Sequence, residues 1–309
     1  MTLTGLQLIK RREQQIKSND HSDDIYIDAL LTGAKGKIAE TLKYFRDHYA
    51  VDGVLSVSEM RSNVNNDDYE LWQDFIQQYG PRLMKDEAAS YRLKSAKQQA
   101  GIDREHLLDS MVAISIAYAA LGVNDYNDQT LMNEATQSMR FQNRFMRTRG
   151  DAPQDTSELV ETGAIKLINA TAQGLSMEDR VWLRTDALRD QVTATFDRAF
   201  QVGLDDAYYQ GHLFKEDSKS SNSASKHFKS AKGYLANSLL RDKKAGMAAL
   251  AGAIVAEKNS LNVGYWYNVE DGHVCEQCIQ LTNASPYSSN DIPDAPHNGC
   301  RCFIVYYKI

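Results

Sequence analysis

The four cysteines of the chain all lie in one short segment near its C-terminus, together with a histidine. The segment reads Cys275-Glu-Gln-Cys278, then eighteen residues, then His297-Asn-Gly-Cys300-Arg-Cys302. A C-x-x-C turn brings two sulfurs to one point, and the H-x-x-C-x-C end supplies three further donors. Any four of these five side chains could complete a tetrahedral zinc site, because thiolates and imidazole are suitably soft ligands.

Free or redox-active thiols and disulfides are the alternatives to a zinc site. Disulfides are disfavoured because nothing in the sequence indicates export. The first residues, MTLTGLQLIKRREQQ, have no apolar run before their charges, so we expect no signal peptide and a cytoplasmic product. A zinc ion with four protein ligands has no open position for a substrate. The predicted role of the metal is therefore structural, holding together a segment with little core of its own.

The remainder of the chain favours helix. Residues 154–285 contain no proline, and over Asp24–Tyr49 the apolar residues recur at spacings of three and four. The pattern predicts further helices over 68–79, from Pro81 to about Ala100, from an Asp103 cap to Leu121, over 129–148, from Thr156 to about Gly174, over 176–203 and over 227–258. Gly80-Pro81 and residues 124–128 are predicted to interrupt them, and 215–225 is predicted to be a mobile polar loop.

Two strands are predicted on either side of the cysteine segment. Val263–Val269 and Phe303–Tyr307 are rich in aromatic and β-branched residues and could pair across it. The predicted fold class is mainly α with a small C-terminal α+β module. The predicted regions are a helical region over 1–150, a second helical region over 151–258 and a Cys/His module over 259–309, with a linker at 150–155.

Charge and hydropathy exclude several classes of function. The net charge of -6 argues against general adhesion to nucleic acid or anionic membrane, although not against a local basic patch. The longest apolar runs, Met111–Val123 and Ala245–Ala256, are shorter than the ~20 residues of a membrane-spanning helix, so no membrane partner is expected. The sequence contains no P-loop, G-x-G-x-x-G, H-E-x-x-H or G-x-S-x-G motif, and no catalytic residue is predicted.

Basic residues form two candidate contacts with DNA phosphates. Lys226, Lys229 and Lys232 are spaced by three and would share one face of a helix, from which they could contact packaged DNA. Lys10-Arg11-Arg12 is the second cluster. For both, a solvated helix face is the favoured interpretation.

The C-terminal segment resembles the phage head morphogenesis family, the minor capsid proteins similar to the phage Mu F protein. An aromatic strand and the acidic pair Glu270-Asp271 precede Val274-Cys275-Glu-Gln-Cys278, which is similar to the family's V-C-P-x-C turn. Pro296-His297-Asn-Gly-Cys300-Arg301-Cys302 is similar to the family's P-x-H-P-N-C-R-C ending. Leu281 and Tyr287 fit the intervening stretch, and the resemblance covers roughly residues 260–309. The chain departs from the family pattern at Glu276, Thr282-Asn283 and Asn298-Gly299.

The resemblance implies a low-copy virion component of the capsid interior. Such a protein is incorporated at the portal vertex during assembly in the host cytoplasm, contacts the portal protein and the major capsid or scaffold protein, and takes part in head morphogenesis or DNA delivery. The family's distant likeness to ADP-ribosyltransferases implies an alternative, an effector enzyme carried in the head. The sequence shows no Arg…Ser-x-Ser…Glu-x-Glu series for that activity. A zinc-dependent nucleic-acid binder is a third class, disfavoured by the net charge.

Overall fold

The computed structural model describes residues 4–215, 223–269, 274–297 and 299–309. The chain is mainly helical with a small α+β module near the C-terminus, as the sequence predicts. The sheet of this module has three strands, one more than the two predicted. The helices are α1 Gly5–Tyr49, α2 Val57–Met60, α3 Asn66–Leu83, α4 Glu87–Gln99, α5 Arg104–Thr148, α6 Ser157–Ile168, α7 Met177–Val202, α8 Asp206–Tyr208, α9 Ala224–Lys232, α10 Arg241–Lys258 and α11 Glu276–Asn283, with π-helical segments at Tyr209–Leu213 and Gly233–Leu240. The strands are β1 Val263–Tyr267, β2 Tyr287–Ser288 and β3 Phe303–Tyr307.

Helix α1 begins at Gly5, well before the predicted start at Asp24. The additional turns bury Leu8, Ile9 and Ile16 and, beside them, charged side chains. Arg12 is 2% exposed and pairs with Glu134, and Asp20 is 3% exposed and accepts a hydrogen bond from Lys244. Because these charges are paired with partners distant in sequence, the sequence pattern gives no sign that Arg12 and Asp20 are buried.

Helix α5 is continuous, so the predicted turn at 124–128 is wrong. Tertiary contacts hold these polar residues in the helix. The ring of Tyr126 stacks on that of Tyr26 with centroids 4.1 Å apart, and its hydroxyl donates to Asp23 Oδ1 at 2.7 Å. The predicted cap of this helix is confirmed, because the His106 backbone N–H donates to Asp103 Oδ1 at 2.8 Å.

Two predicted helix ends are also wrong. Helix α3 continues through Pro81 to Leu83. Proline has no backbone N–H and so removes one helical hydrogen bond, and the full burial of Leu83 offsets that loss. Helix α6 ends at Ile168 rather than near Gly174, because Gln173 and Gly174 adopt left-handed backbone angles in a tight turn. The predicted loop at 215–225 lies mostly outside the described residues, and its last two residues belong to α9.

Helix α5 is long and apolar enough to cross a membrane by length and composition alone. One 18-residue window has a mean hydropathy of 1.5, and 78% of that window is buried inside the protein. Core helices of globular proteins have the same properties. The sequence prediction considered only the uninterrupted apolar run Met111–Val123. In the structure, residues on either side of that run, some of them polar, continue the same helix, so the apolar window is longer than the run.

The chain folds into two compact units that do not follow chain order. Unit 1 comprises residues 1–26, 125–177 and 234–309, and unit 2 comprises 27–124 and 178–233. The core of unit 2 includes Ile38, Phe45, Leu93, Phe196 and Phe200. The three consecutive regions inferred from the sequence remain a prediction about domains. The units divide differently because α1 and α5 each contribute residues to both of them.

The sheet of unit 1 has the order β2-β1-β3 and is antiparallel throughout. Pairing of β1 with β3, predicted from the sequence, is confirmed with Val263 opposite Tyr307 and Tyr267 opposite Phe303. Gln142 of α5 covers the outer edge of β3, since its side-chain amide donates to Tyr306 O at 2.7 Å and accepts from Tyr306 N at 3.2 Å. These two hydrogen bonds satisfy backbone groups that an edge strand would otherwise leave unpaired.

The two faces of the β1–β3 pair pack against different partners. Phe303 and Val305 on one face join a core with Ile9, Ile16 and Phe145 of the long helices. On the other face, Trp266 and Ile304 pack against the cysteines, leucine and aromatic residues that surround the C-x-x-C turn. The cysteine cluster is therefore itself the core beneath one side of the sheet.

Candidate metal centre

The C-x-x-C turn forms the first turn of α11. Cys275 caps this helix, and its Sγ accepts a hydrogen bond from the Cys278 backbone N–H at 3.3 Å. A cap and the third residue of a helix point toward the same end, so both sulfurs lie together at the helix N-terminus. Cys278 is 2% exposed, whereas Cys275 is partly exposed.

The second set of donors comes from a turn that leads into β3. Cys300 N donates to His297 O at 3.3 Å, and Gly299 adopts a left-handed φ of 75°. A Cβ at position 299 would stand 2.8 Å from the backbone oxygen of Asn237. The turn therefore requires glycine for its backbone angle and for its close approach to a neighbouring segment.

The turn brings its donors to the sulfur of Cys278. Cys278 Sγ lies 3.6 Å from Cys300 Sγ and 3.8 Å from His297 Nε2. Two thiolates on one tetrahedral zinc, each at ~2.3 Å, stand about 3.8 Å apart. The observed separation therefore matches two ligands of a shared ion, and it is far longer than the ~2.05 Å of a disulfide bond. All four cysteines are free thiols.

All five candidate donors belong to this cluster, which could bind a metal ion. Cys275, Cys278 and His297 form one group whose donor atoms lie within 4.8 Å of one another, and Cys278, Cys300 and Cys302 form another. Cys278 is common to both groups and is the centre of the arrangement. Cys302 Sγ also donates to Asn268 Oδ1 at 3.4 Å.

The thiols differ in acidity because their surroundings differ. The hydrogen bond from the Cys278 backbone N–H lowers the pKa of Cys275, and the nearby His297 lowers it further. Burial raises the pKa of Cys278 to about 12. The hydrogen bond with Cys302, followed by burial, raises the pKa of Cys300. Without a cation the buried thiols stay protonated, so metal binding must release protons.

The cluster borders a cavity of about 190 Å³ that two arginines also line, Arg241 and Arg301. Arg301 Nη1 donates to Asp20 Oδ2 at 3.1 Å, and Arg241 Nη2 donates to Asp24 Oδ2 at 3.0 Å. A site with several thiolates around a divalent cation carries net negative charge. Neighbouring guanidinium groups would offset that charge and fix the turn that holds the ligands.

The sequence did not reveal this charged network beside the cluster. Asp20 is buried and contacts Lys244 Nζ at 2.9 Å as well as Arg301, while Asp23 contacts Lys244 at 2.6 Å. Burial alone would lower the pKa of Lys244, but the two carboxylates outweigh burial and raise it. The sequence does contain the members of this network, an arginine between two candidate ligands and acidic residues at positions 20, 23 and 24. Their spacing in the sequence does not show that they are in contact.

The basic stretches lie apart from the cluster in sequence. Lys226, Lys229 and Lys232 lie on α9, and Lys232 Nζ pairs with Asp28 Oδ1 at 3.0 Å. Of Lys10-Arg11-Arg12, the first two side chains are exposed and Arg12 is buried. The acidic pair Glu270-Asp271 lies outside the described residues, as does Asn298.

Comparison of the chain with family models, with curated proteins and with solved structures found no match.

Proposed function

We propose that the C-terminal cluster holds a structural zinc ion, and that the chain is a minor capsid protein of a phage head, acting in assembly at the portal vertex. The observation that carries the metal proposal is the meeting of donors from two separate segments. The first turn of α11 supplies Cys275 and Cys278, and the turn before β3 supplies His297, Cys300 and Cys302. One ion bound by donors from both segments would cross-link them.

Zinc is the metal that these donors favour. Thiolates with one imidazole, at separations that fit a tetrahedron, are the ligands of structural zinc sites. Five protein donors for four positions leave no open coordination site for water or substrate. The ion would therefore supply folding free energy rather than chemistry. It would fix β1 and β3 by ordering the core on which Trp266 packs.

The phage assignment is supported by the order of elements together with the motif. An aromatic strand, a C-x-x-C helix start and an H-x-x-C-R-C turn leading into the paired strand follow one another along residues 263–307. In this proposal the protein resides inside the capsid, and its partners are the portal protein and the major capsid or scaffold protein. Affinity would come from buried apolar and aromatic surface. Contact of Lys226, Lys229 and Lys232 with packaged DNA remains part of the proposal.

Metal content tests the first half of the proposal. The purified full chain should contain one zinc per chain by inductively coupled plasma mass spectrometry, and Cys278→Ser should reduce that value most, since this sulfur belongs to both donor groups. The other four donors are then replaced one at a time. The donor whose replacement still leaves one zinc per chain is the one that does not bind the ion. A metal-free protein after expression in zinc-supplemented medium would refute the site.

Particle composition tests the second half. Quantitative mass spectrometry of purified particles, from the phage or prophage that encodes the chain, should find a few copies per particle. Those copies should disappear when the portal gene is deleted, and a tail protein of the same particle provides the control for particle recovery. Absence of the chain from intact particles would refute a minor capsid role and leave the metal site unaffected.

A further inference from the structure

A groove in unit 1 lies between the N-terminal part of α1 and the C-terminal part of α5. Its volume is about 620 Å³, within the range of ligand-binding clefts. From α1 its lining includes Arg11, Gln14, Gln15 and Ser18, and from α5 it includes Gln137, Arg140, Phe141 and Arg144. Each set follows the i, i+3, i+4, i+7 spacing, so each wall is one face of one helix.

The groove is strongly cationic. Arg11, Arg140 and Arg144 are exposed, and among the described residues none of the three has an ion pair or hydrogen bond. No carboxylate is among the described residues that line the groove. Glu13, the acidic residue next in sequence to these basic ones, pairs with Lys17 on another face of α1. Three uncompensated guanidinium groups in one cleft are unusual for a chain whose net charge is -6.

Side-chain contacts at the base of the groove hold its two walls in place. Arg12 pairs with Glu134 and donates to Ser138 Oγ at 2.7 Å. Asn19 Nδ2 donates to Gln137 Oε1 at 2.9 Å. The ring of Phe141 packs edge-on against Phe303, with centroids 5.7 Å apart. These contacts join the two helices and fix the groove before any ligand arrives, which lowers the entropic cost of binding.

We propose that this groove binds the phosphodiester backbone of nucleic acid. Arginine guanidinium groups bind phosphate oxygens in a bidentate manner, and Arg140 and Arg144 are about 6 Å apart along the helix axis. The glutamine amides and Ser18 can donate further bonds to phosphate or sugar oxygens. A half-buried aromatic ring in a cationic groove is the usual platform for an unstacked base. The inference rests on neither half of the proposed function, because none of these residues belongs to the metal centre or to the α9 lysines.

Salt-dependent binding of DNA to the full-length protein tests the proposal. Fluorescence anisotropy with a labelled 20-base-pair duplex should give an affinity that falls roughly 40-fold between 50 and 200 mM NaCl if three arginines each displace a counterion. Arg140→Gln combined with Arg144→Gln should reduce that dependence to roughly fourfold. Arg11→Gln, on the opposite wall, should give an intermediate value.

The matched control removes the same charge elsewhere. Lys94→Gln combined with Lys97→Gln changes two exposed lysines on α4 and should keep the wild-type affinity and salt dependence. Equal weakening in both double variants, or wild-type affinity in the arginine variant, would overturn the proposal. Circular dichroism and zinc content, both expected to be unchanged, verify that the variants are folded.

Two further probes define the ligand. A single-stranded 20-mer that binds more tightly than the duplex assigns part of the affinity to base stacking on Phe141, whereas equal or tighter duplex binding assigns it to the backbone alone; both results support the proposal. Polyglutamate of matched charge should compete poorly. If it displaces DNA at equal charge concentration, the groove recognises acidic protein segments and the nucleic-acid proposal fails.

Discussion

Arg301 Nη1 lies 3.1 Å from Asp20 Oδ2, so the residue between two candidate metal ligands is ion-paired with a carboxylate 281 positions earlier in the chain. Asp20 is 3% exposed, and it also accepts a hydrogen bond from Lys244 at 2.9 Å. One buried carboxylate therefore joins α1 and α10 to the turn that carries the ligands. Stability of α1 and formation of the metal centre are expected to depend on each other.

Asp20→Asn should destabilise the protein by about 3–5 kcal/mol, because it leaves Lys244 and Arg301 with less compensation for their positive charge in a buried site. The change should appear in urea unfolding followed by circular dichroism. Asp28→Asn is the matched control: Asp28 pairs with Lys232, but its side chain is 52% exposed. The control should cost less than about 1 kcal/mol. Similar losses in both variants would show that burial of the Asp20 network has no energetic consequence.

Removal of the proposed zinc ion should destabilise the sheet through Trp266. Its ring packs against Cys278 and Cys300, so a chelator should lower the melting temperature and change the tryptophan fluorescence. Cys278→Ser should lower the free energy of unfolding by at least about 3 kcal/mol. The chelator should have no further effect on that variant, which makes it the internal control.

The fluorescence readout has its own control in Trp266→Phe. This variant retains Trp72 and Trp182, and its emission should no longer respond to the chelator. A wild-type melting transition unchanged by chelation would contradict a stabilising ion, whatever the fluorescence shows.

Sequence patterns gave the helical class, the two long strands and the five candidate donors, because apolar spacing and Cys/His spacing reflect local geometry. They failed where long-range contacts decide the outcome. Polar residues around Tyr126 looked like a turn, but a ring stack with Tyr26 and a hydrogen bond to Asp23 hold them in helix. The first turns of α1 looked like a solvated segment, but Arg12 and Asp20 are buried in ion pairs. A groove between α1 and α5 is likewise invisible from either segment alone.

Asp109 should make the protein less stable as the pH rises. Burial, then the carboxylates of Asp197 and Glu105, raise the pKa of Asp109 to about 7, with Asp103 adding to the rise and His106 opposing it. The folded state therefore holds a proton that the unfolded chain releases near pH 4, and stability falls between about pH 4 and pH 7.

Asp109→Asn should remove this penalty. At pH 8 the variant should be more stable than the wild type by up to about 4 kcal/mol, and the difference should vanish near pH 4. Urea unfolding across this pH range measures both curves. Asp190→Asn, whose side chain is 68% exposed, should change stability by less than about 0.5 kcal/mol at every pH. Parallel curves for Asp109→Asn and wild type would show that the carboxyl is ionised throughout the range.

Gly299→Ala should weaken both the fold and metal binding. The position has a φ of 75°, and an added Cβ would approach Asn237 O to 2.8 Å, so the substitution causes backbone strain and a collision in the turn that carries His297 and Cys300. Gly174→Ala separates the two effects, because Gly174 has a φ of 76° with nothing near its Cβ position. Gly174→Ala should lower the free energy of unfolding by about 1 kcal/mol, from backbone strain alone. Gly299→Ala should cost about 2–3 kcal/mol and lower zinc affinity at least tenfold in a chelator competition assay. If Gly299→Ala and Gly174→Ala lose equal stability and both retain full zinc affinity, the close approach to Asn237 does not constrain the ligand turn.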